Sequence, residues 1–224
     1  MNKKTNKLDN ITGKNFLSLA LLSFLGLIID TLLKFFILPH IYGAPMEKWN
    51  NILYIIYFII MIFIMILISL KVIRKSKMKY NFDLFLNNKL PKWQSIVIAI
   101  VLIIMCLFLK FYNLDGFKIL SDLKDLNLFR FLFQYIYYLF KVFIIMLIII
   151  FVQKAMEVWY GKNNFPYSAI VISLIWGIIH CITMSSFLAG FVSFLIGFCY
   201  GTIYIILNRN IKLTYIAMCV MFIL

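Results

Sequence analysis

Long apolar runs, separated by short polar segments, are the feature of this sequence that most restricts its fold. The clearest runs hold about 20 residues each, which is the length of helix that crosses a hydrocarbon core of about 30 Å. Because 64% of the 224 residues are hydrophobic, the chain carries more apolar surface than a soluble domain can bury. The sequence therefore predicts an all-α, polytopic bundle of transmembrane helices. The expected crossings lie at about 16–38, 51–70, 94–111, 131–152, 167–184, from the turn at Ser185-Ser186 to about 207, and 213–224.

These runs predict about seven membrane helices in a single integral membrane domain over 1–224, since no internal repeat or linker divides the chain. Pro39, Gly43 and Pro45 are expected to break the first helix. The last run has only 12 residues, which is short for a full crossing. Between the third and fourth crossings, apolar residues recur every three positions within 112–130, which indicates a short amphipathic surface helix.

The net charge of +14 is distributed unevenly between the two sides of the predicted bundle. With seven crossings, fifteen basic residues fall on the side of the N-terminus and five on the other side, namely Lys48, Lys110, Lys118, Lys124 and Arg130. The positive-inside rule then predicts a cytoplasmic N-terminus and places Glu157 on the cytoplasmic side. Clustered between apolar runs, these charges indicate the lipid bilayer as the partner, and we expect no nucleic-acid partner.

Cys106, Cys181, Cys199 and Cys219 all fall within apolar runs and show neither CxxC nor CxxH spacing. This pattern is typical of cysteines that pack as small hydrophobic residues. We therefore predict no disulfide, no metal site and no cofactor.

Several polar side chains lie inside the predicted crossings, where they are energetically unfavourable and often functional. Asp30 and Lys34 are four residues apart, so the expected arrangement is an ion pair on one helix face. Lys141, in the same crossing as Gln134, also needs a partner. Asp30 is the alternative partner for Lys141 if Lys34 extends towards the membrane surface instead.

The candidate site is formed by Gln153, Glu157 and His180. Gln153 and Glu157 share a helix face, and a carboxylate near hydrocarbon has the raised pKa that suits a general base. His180, on the next crossing, would position water or stabilise an oxyanion. The simpler alternative is a solvated carboxylate at the helix end and a histidine that only bonds a neighbouring helix. His180 also lies about 18 Å along its helix from Ser168, so the two side chains meet only if the Glu157 segment enters the membrane more deeply.

The segment Trp176-Gly-Ile-Ile-His180 and the small residues Ser193, Gly197 and Gly201, followed by Tyr204, resemble the CAAX-protease and bacteriocin-processing (CPBP or Abi) family. The resemblance covers a CPBP-like core at 131–224 and leaves 1–130 as helices and loops of unassigned role. It implies an intramembrane glutamate-type endopeptidase of the bacterial inner membrane, with Glu157 and His180 catalytic and Gln153 supporting. The implied substrates are membrane-associated peptides or prenylated proteins.

The chain departs from that family at two of its three motifs. No alignment of the 152–162 segment restores the EExxxR pattern, and 214–224 contains neither His nor Asn. One alternative is an inactive relative that binds peptides or acts in bacteriocin immunity. Another is the membrane-embedded substrate-binding subunit of a transporter, which could not energise transport itself because the chain has no nucleotide loop. Its pocket would be lined by Asp30, Lys34, Gln134, Lys141 and His180.

Overall fold

The structure, a computed structural model, describes residues 12–86, 89–114 and 116–224. The described residues are helical, with no strand among them, which confirms the predicted all-α class. Three N-terminal lysines that contribute to the predicted orientation lie outside the described residues, namely Lys3, Lys4 and Lys7. Asp115 also lies outside them. The helices are α1 (Gly13–Tyr42), α2 (Asn51–Tyr80), α3 (Trp93–Leu114), α4 (Lys118–Asp125), α5 (Leu128–Tyr160), α6 (Tyr167–Thr183), α7 (Phe187–Ile206) and α8 (Ile211–Ile223).

Five of these helices, α1, α2, α3, α5 and α7, are long and apolar enough to cross a membrane. They are compatible with a protein that crosses a membrane several times. The other two predicted crossings correspond to α6 and α8, which have 17 and 13 residues. The total of about seven crossings and the orientation of the N-terminus stay predictions.

The helix ends follow local sequence signals. The side chain of Asn50 accepts a hydrogen bond from the Leu53 amide at 2.9 Å and caps α2, and Asn210 caps α8 in the same way. Gly161 ends α5 with a left-handed φ of 70°, a conformation that glycine adopts without strain. The predicted amphipathic helix forms over only eight residues, because Asn127 already caps the start of α5.

Of the three residues expected to break the first helix, Gly43 ends it and Pro39 does not. Helix α1 continues through Pro39 and ends at Gly43, whose φ is 65°. A π-helical turn at Leu33–Ile37 precedes the proline. Proline normally clashes with the carbonyl four residues earlier, and the wider turn relieves that contact.

Helix α5 lies at the centre of the bundle. It packs against α1 and α2 on one side and against α6 and α8 on the other. Every residue from Ile144 to Gln153 is buried, as expected of a helix that is hydrophobic all round and enclosed by neighbours. Helix α3 packs only on the outside, against α7 and α8.

Small residues bring α6 and α7 into close contact, as small residues four apart do between membrane helices. A Cβ added at Gly197 would lie 3.0 Å from the Cα of Ser173, and one at Gly201 would overlap the backbone of Ala169. Ser193, the third member of the predicted stripe, lines a cavity instead. Gly177 and Gly190 approach the facing helix as closely at the other end of the pair, so glycines permit the contact along its length.

Candidate functional sites at opposite ends of the bundle

Glu157 is buried near the end of α5 and already has a charged partner. Its Oε1 accepts hydrogen bonds from Arg209 at 2.7 Å and from Gln153 Nε2 at 2.9 Å. Asn208 and Arg209 both adopt left-handed backbone conformations in the turn between α7 and α8, which carries the guanidinium to the carboxylate. Action as a general base would require this ion pair to open.

Gln153 connects this carboxylate to the start of α6. Its amide nitrogen also donates to the Phe165 carbonyl at 2.8 Å, and its Oε1 accepts from the Ser168 amide at 3.0 Å. Two of the three hydrogen bonds of the side chain therefore join α5 to the following loop and helix, and the third holds Glu157 within α5. Gln153 thus has a clear structural role in holding the α5–α6 connection.

A small cavity of about 120 Å³ lies beside this network and includes Asp83 in its lining. Asp83, in the loop after α2, forms an ion pair with Lys77 at 2.7 Å. The hydrogen bond from Lys77, with a second one from the Phe85 amide, holds the pKa of the Asp83 carboxyl below its usual value. This end of the bundle therefore carries two carboxylates, each paired with its own cation.

Arg209→Ala is expected to destabilise the protein because it leaves Glu157 buried without a counter-charge. Removing one partner of a buried pair costs about 3–5 kcal/mol, and we expect about 3 kcal/mol because 32% of the Arg209 side chain is exposed. Thermal unfolding of the purified protein in neutral detergent measures the effect. Lys212→Ala, an exposed cation in the same turn region, is the matched control, and equal shifts for the two variants would contradict the prediction.

His180 lies at the other end of the bundle. Helix α6 runs away from the Glu157 network, and His180 is about 20 Å along it from Tyr167. Its Nδ1 is 3.0 Å from the Trp176 carbonyl, and its ring stacks on the Trp176 indole. Glu157 and Gln153 line the small cavity, whereas His180 lines a different one. The structure therefore does not bring Glu157 and His180 together.

The cavity beside His180 is large, at about 570 Å³, and partly open. We call it the cationic cavity, because five basic side chains line it against one acidic one, Asp122. The cavity lies beside the first half of α5, and its deepest α5 residue, Lys141, is about 18 Å along the helix from Gln153. The five cations are Lys34, Lys110, Lys118, Arg130 and Lys141.

Asp30 is the counter-charge of Lys141 and not of Lys34. Lys141 Nζ donates to Asp30 Oδ2 at 2.8 Å. The hydroxyls of Tyr57 and Tyr137 donate to the two oxygens of the same carboxylate. The expected Asp30–Lys34 pair is therefore corrected to the alternative partner. Lys34 lies in the π turn that begins at Leu33 and forms no ion pair with Asp30, although the two residues are four apart.

The other four cations form no ion pair in the part of the chain that the structure describes, although Asp122 acts electrostatically on Lys118 and Asp30 and Glu47 act on Lys34. Lys118 donates to the Tyr138 hydroxyl at 3.1 Å, and Lys110 donates to the carbonyls of Met221 and Phe222. Arg130 lies 3.6 Å from the centre of the Tyr54 ring, and its Nε is buried without a hydrogen-bond partner among the described residues. Lys34 lies 4.9 Å from the centre of the Phe35 ring.

Sequence reasoning did not identify several of these residues as part of a site. From the sequence alone, the orientation of the bundle is all that the charges of Lys110, Lys118 and Arg130 predict. A signal existed, since they belong to the five basic residues expected on the side where basic residues are scarce. For Arg209 no signal existed, because it lies 52 residues from Glu157 in the chain.

The chain matches no protein-family model, no curated protein and no solved structure.

Proposed function

We propose that this protein is a membrane-embedded binding protein that takes an anionic ligand into the cationic cavity, as the substrate-binding subunit of a transport system would. The observation that carries the proposal is the charge of the lining. Among the described residues, five cations line one cavity, and the acids near them are Asp122 in the lining, Asp30 in the ion pair with Lys141, and Glu47 on the side of Lys34. Even with all three acids counted, a formal excess of two positive charges is left for a ligand to neutralise.

The membrane setting strengthens this proposal. A Lys or Arg at the centre of a membrane helix costs roughly 2.5–3.5 kcal/mol, and such residues usually pair or mark a ligand pathway. Lys34 and Lys141 belong to helices that are long and apolar enough to cross a membrane, and Lys34 has no ion-pair partner among the described residues. An anionic ligand would supply the missing counter-charge.

The distribution of charge along the chain supports the same conclusion. In the expected orientation the cavity faces away from the cytoplasm. Three of the five basic residues expected on that side line the cavity, whereas Lys48 and Lys124 do not. The positive-inside rule disfavours basic residues there, and ligand binding accounts for those three.

Lys34 has a further feature of a binding residue. It lies in the π turn of α1, and π turns inside α-helices occur frequently at functional sites. Its ammonium group forms no ion pair with Asp30, which bonds Lys141 instead, and is therefore available to a ligand. We therefore expect Lys34 to contribute more to ligand affinity than Lys141, which is already paired.

The endopeptidase implied by the CPBP resemblance is the weaker proposal. It requires Glu157 to separate from Arg209 and to act on a substrate that His180 also reaches. Glu157 and His180 line different cavities, and His180 lies about 20 Å along α6 from Tyr167, at the end where Gln153 bonds the helix. Hydrolysis of a prenylated peptide by the purified protein, lost in Glu157→Gln, would nevertheless favour the endopeptidase.

Anion binding is tested with Lys34→Gln/Lys118→Gln, which removes two cavity cations. The probes are glycerol 1-phosphate and dioleoyl phosphatidylglycerol, offered to the purified protein in neutral detergent. We expect at least one probe to bind, and we expect affinity to fall about tenfold or more in the variant, because each tenfold corresponds to only about 1.4 kcal/mol of lost attraction. Calorimetry or the ligand-induced rise in unfolding temperature measures the change.

Lys48→Gln/Lys124→Gln is the matched control for this test. It removes the same charge from the same side of the bundle, at exposed positions outside the cavity. The control should bind as the unaltered protein does. Absence of binding by both probes, or equal losses in the two double variants, would contradict the proposed function.

A further inference from the structure

We infer that the ligand of the cationic cavity is an anionic amphiphile, whose phosphate head binds the cavity cations while its apolar chains leave between α1 and α6. This inference rests on the proposed function and adds the chemical class of the ligand. It follows from the chemistry of the cavity wall, from the arrangement of the helices around the cavity and from the surface beside it.

The cavity wall is divided between charged and apolar chemistry. The cations are accompanied by a set of aromatic and aliphatic side chains that a small hydrophilic anion would leave unused. An amphiphile would contact both kinds of surface, since its chains gain from apolar burial while its head gains from the charges. The apolar part of the lining includes Phe58, Trp176, Met184, Ile196, Tyr200 and Phe222.

The arrangement of the helices leaves a lateral separation at the cavity. Helices α1 and α6 both pack on α5, but no extended packing joins α1 to α6. Lys34 of α1 and Trp176 and His180 of α6 nevertheless line the same cavity. The cavity therefore lies between two helices that are held apart by α5.

The outer surfaces beside this separation are apolar and exposed. Phe35, Phe36 and Ile37 follow Lys34 on α1, and Ile178, Ile179 and Ile182 lie on α6. In a membrane these side chains would contact lipid chains. A ligand already dissolved in the bilayer could thus reach the cations sideways, without crossing an aqueous entrance.

The depth of the charges is consistent with such an entry. Lys141 is about 20 Å along α5 from its first residue, Leu128, within a helix of 33 residues. Trp176 and His180, which line the same cavity as Lys141, combine ring surface with polar nitrogen atoms. Residues at the boundary between polar and apolar regions have this character. A lipid head drawn towards Lys34 and Lys141 would keep its chains in an apolar environment.

The test compares three probes on the purified protein in neutral detergent. Dioleoyl phosphatidylglycerol has the anionic head and the chains, glycerol 1-phosphate has the phosphate without the chains, and dioleoyl phosphatidylcholine has the chains with a neutral head. We expect phosphatidylglycerol to bind at least 100-fold more tightly than either of the other two. Burial of only a few methylene groups supplies that factor over glycerol 1-phosphate, and the net negative charge of the head, which the cavity cations attract, supplies it over phosphatidylcholine. Lys34→Gln should weaken phosphatidylglycerol binding, and Lys48→Gln should not.

The outcomes separate this inference from the proposed function. If glycerol 1-phosphate binds as tightly as phosphatidylglycerol and depends on Lys34, the amphiphile inference fails and the proposed function stands. If phosphatidylcholine binds as tightly as phosphatidylglycerol, or if neither anionic probe binds, both fail.

The path of the chains is tested with a phosphatidylglycerol that carries a photoreactive diazirine in one acyl chain. We expect the label on peptides that contain Leu33–Ile37 and the second half of α6. Lys34→Gln should remove this labelling, whereas Lys48→Gln should keep it. Equal labelling of all apolar helices, including α3, would overturn the proposed path.

Discussion

Asp30→Ala is expected to lower the stability of the protein by about 4 kcal/mol, since loss of one partner from a buried ion pair costs about 3–5 kcal/mol. The change leaves the Lys141 ammonium inside the bundle without a counter-charge. It also removes the acceptor of the Tyr57 and Tyr137 hydroxyls. For a chain of this length we expect the unfolding midpoint to fall by roughly 10 °C.

A thiol-specific dye measures thermal unfolding. It reacts with Cys106 and Cys199 only when the protein unfolds, because both are fully buried in the folded protein. Asp30→Asn keeps an acceptor for a tyrosine hydroxyl but loses the charge. Its unfolding midpoint should therefore lie between those of the unaltered protein and of Asp30→Ala. If Asp30→Ala does not fold, Asp30→Asn still gives a measurable shift. The double variant Asp30→Leu/Lys141→Met should be more stable than Asp30→Leu alone, because it removes the unpaired cation as well.

Lys34→Met is the control that distinguishes the two possible partners of Asp30. Because Lys34 forms no ion pair with Asp30, this change should leave the stability within about 1 kcal/mol, as is usual away from buried networks. Lys141→Met should be clearly more destabilising. If Lys34→Met were the more destabilising of the two changes, Asp30 would pair with Lys34 of its own helix and not with Lys141.

Gly201→Ala is expected to lower the free energy of unfolding by about 3 kcal/mol or more, which is the upper range for overpacking. This is the second of the two largest effects that we expect. The added methyl group would overlap the backbone nitrogen and Cα of Ala169 and the carbonyl carbon of Ser168. Backbone atoms of a packed helix cannot move aside as a flexible side chain can. The change should therefore separate α6 from α7 and break the hydrogen bond from Ser168 Oγ to the Gly201 carbonyl.

Gly26→Ala is the matched control, because the same substitution in α1 meets ordinary contacts, the nearest at 3.5 Å from Ile68. In a helix interior, alanine is favoured over glycine by about 0.5–1 kcal/mol, so Gly26→Ala should be neutral or stabilising. Gly197→Ala, with its nearest backbone atom at 3.0 Å, provides an intermediate case if Gly201→Ala does not fold. Similar unfolding temperatures for Gly201→Ala and Gly26→Ala would show that the α6–α7 contact is looser than described.

The outcome at Pro39 shows how far local sequence rules extend. Proline ends many helices, and on that basis the first helix was expected to break there. The α1 backbone instead widens by one residue ahead of Pro39 and continues to Gly43. The prediction from regular helical spacing failed at Asp30 as well, because this residue pairs with Lys141 of α5 and not with Lys34, four residues along its own helix.

The sequence by itself determined the all-helical architecture, the approximate positions of the long apolar helices and the stripe of small residues on α7, since run length and small-residue spacing are local properties. Only the tertiary structure decided which charges meet. Asp30 and Lys141 lie 111 residues apart and Glu157 and Arg209 lie 52 apart, and no periodicity connects positions so distant. The physical reason is that helix formation follows from neighbouring residues, whereas ion pairs and cavities depend on how the finished helices pack around α5.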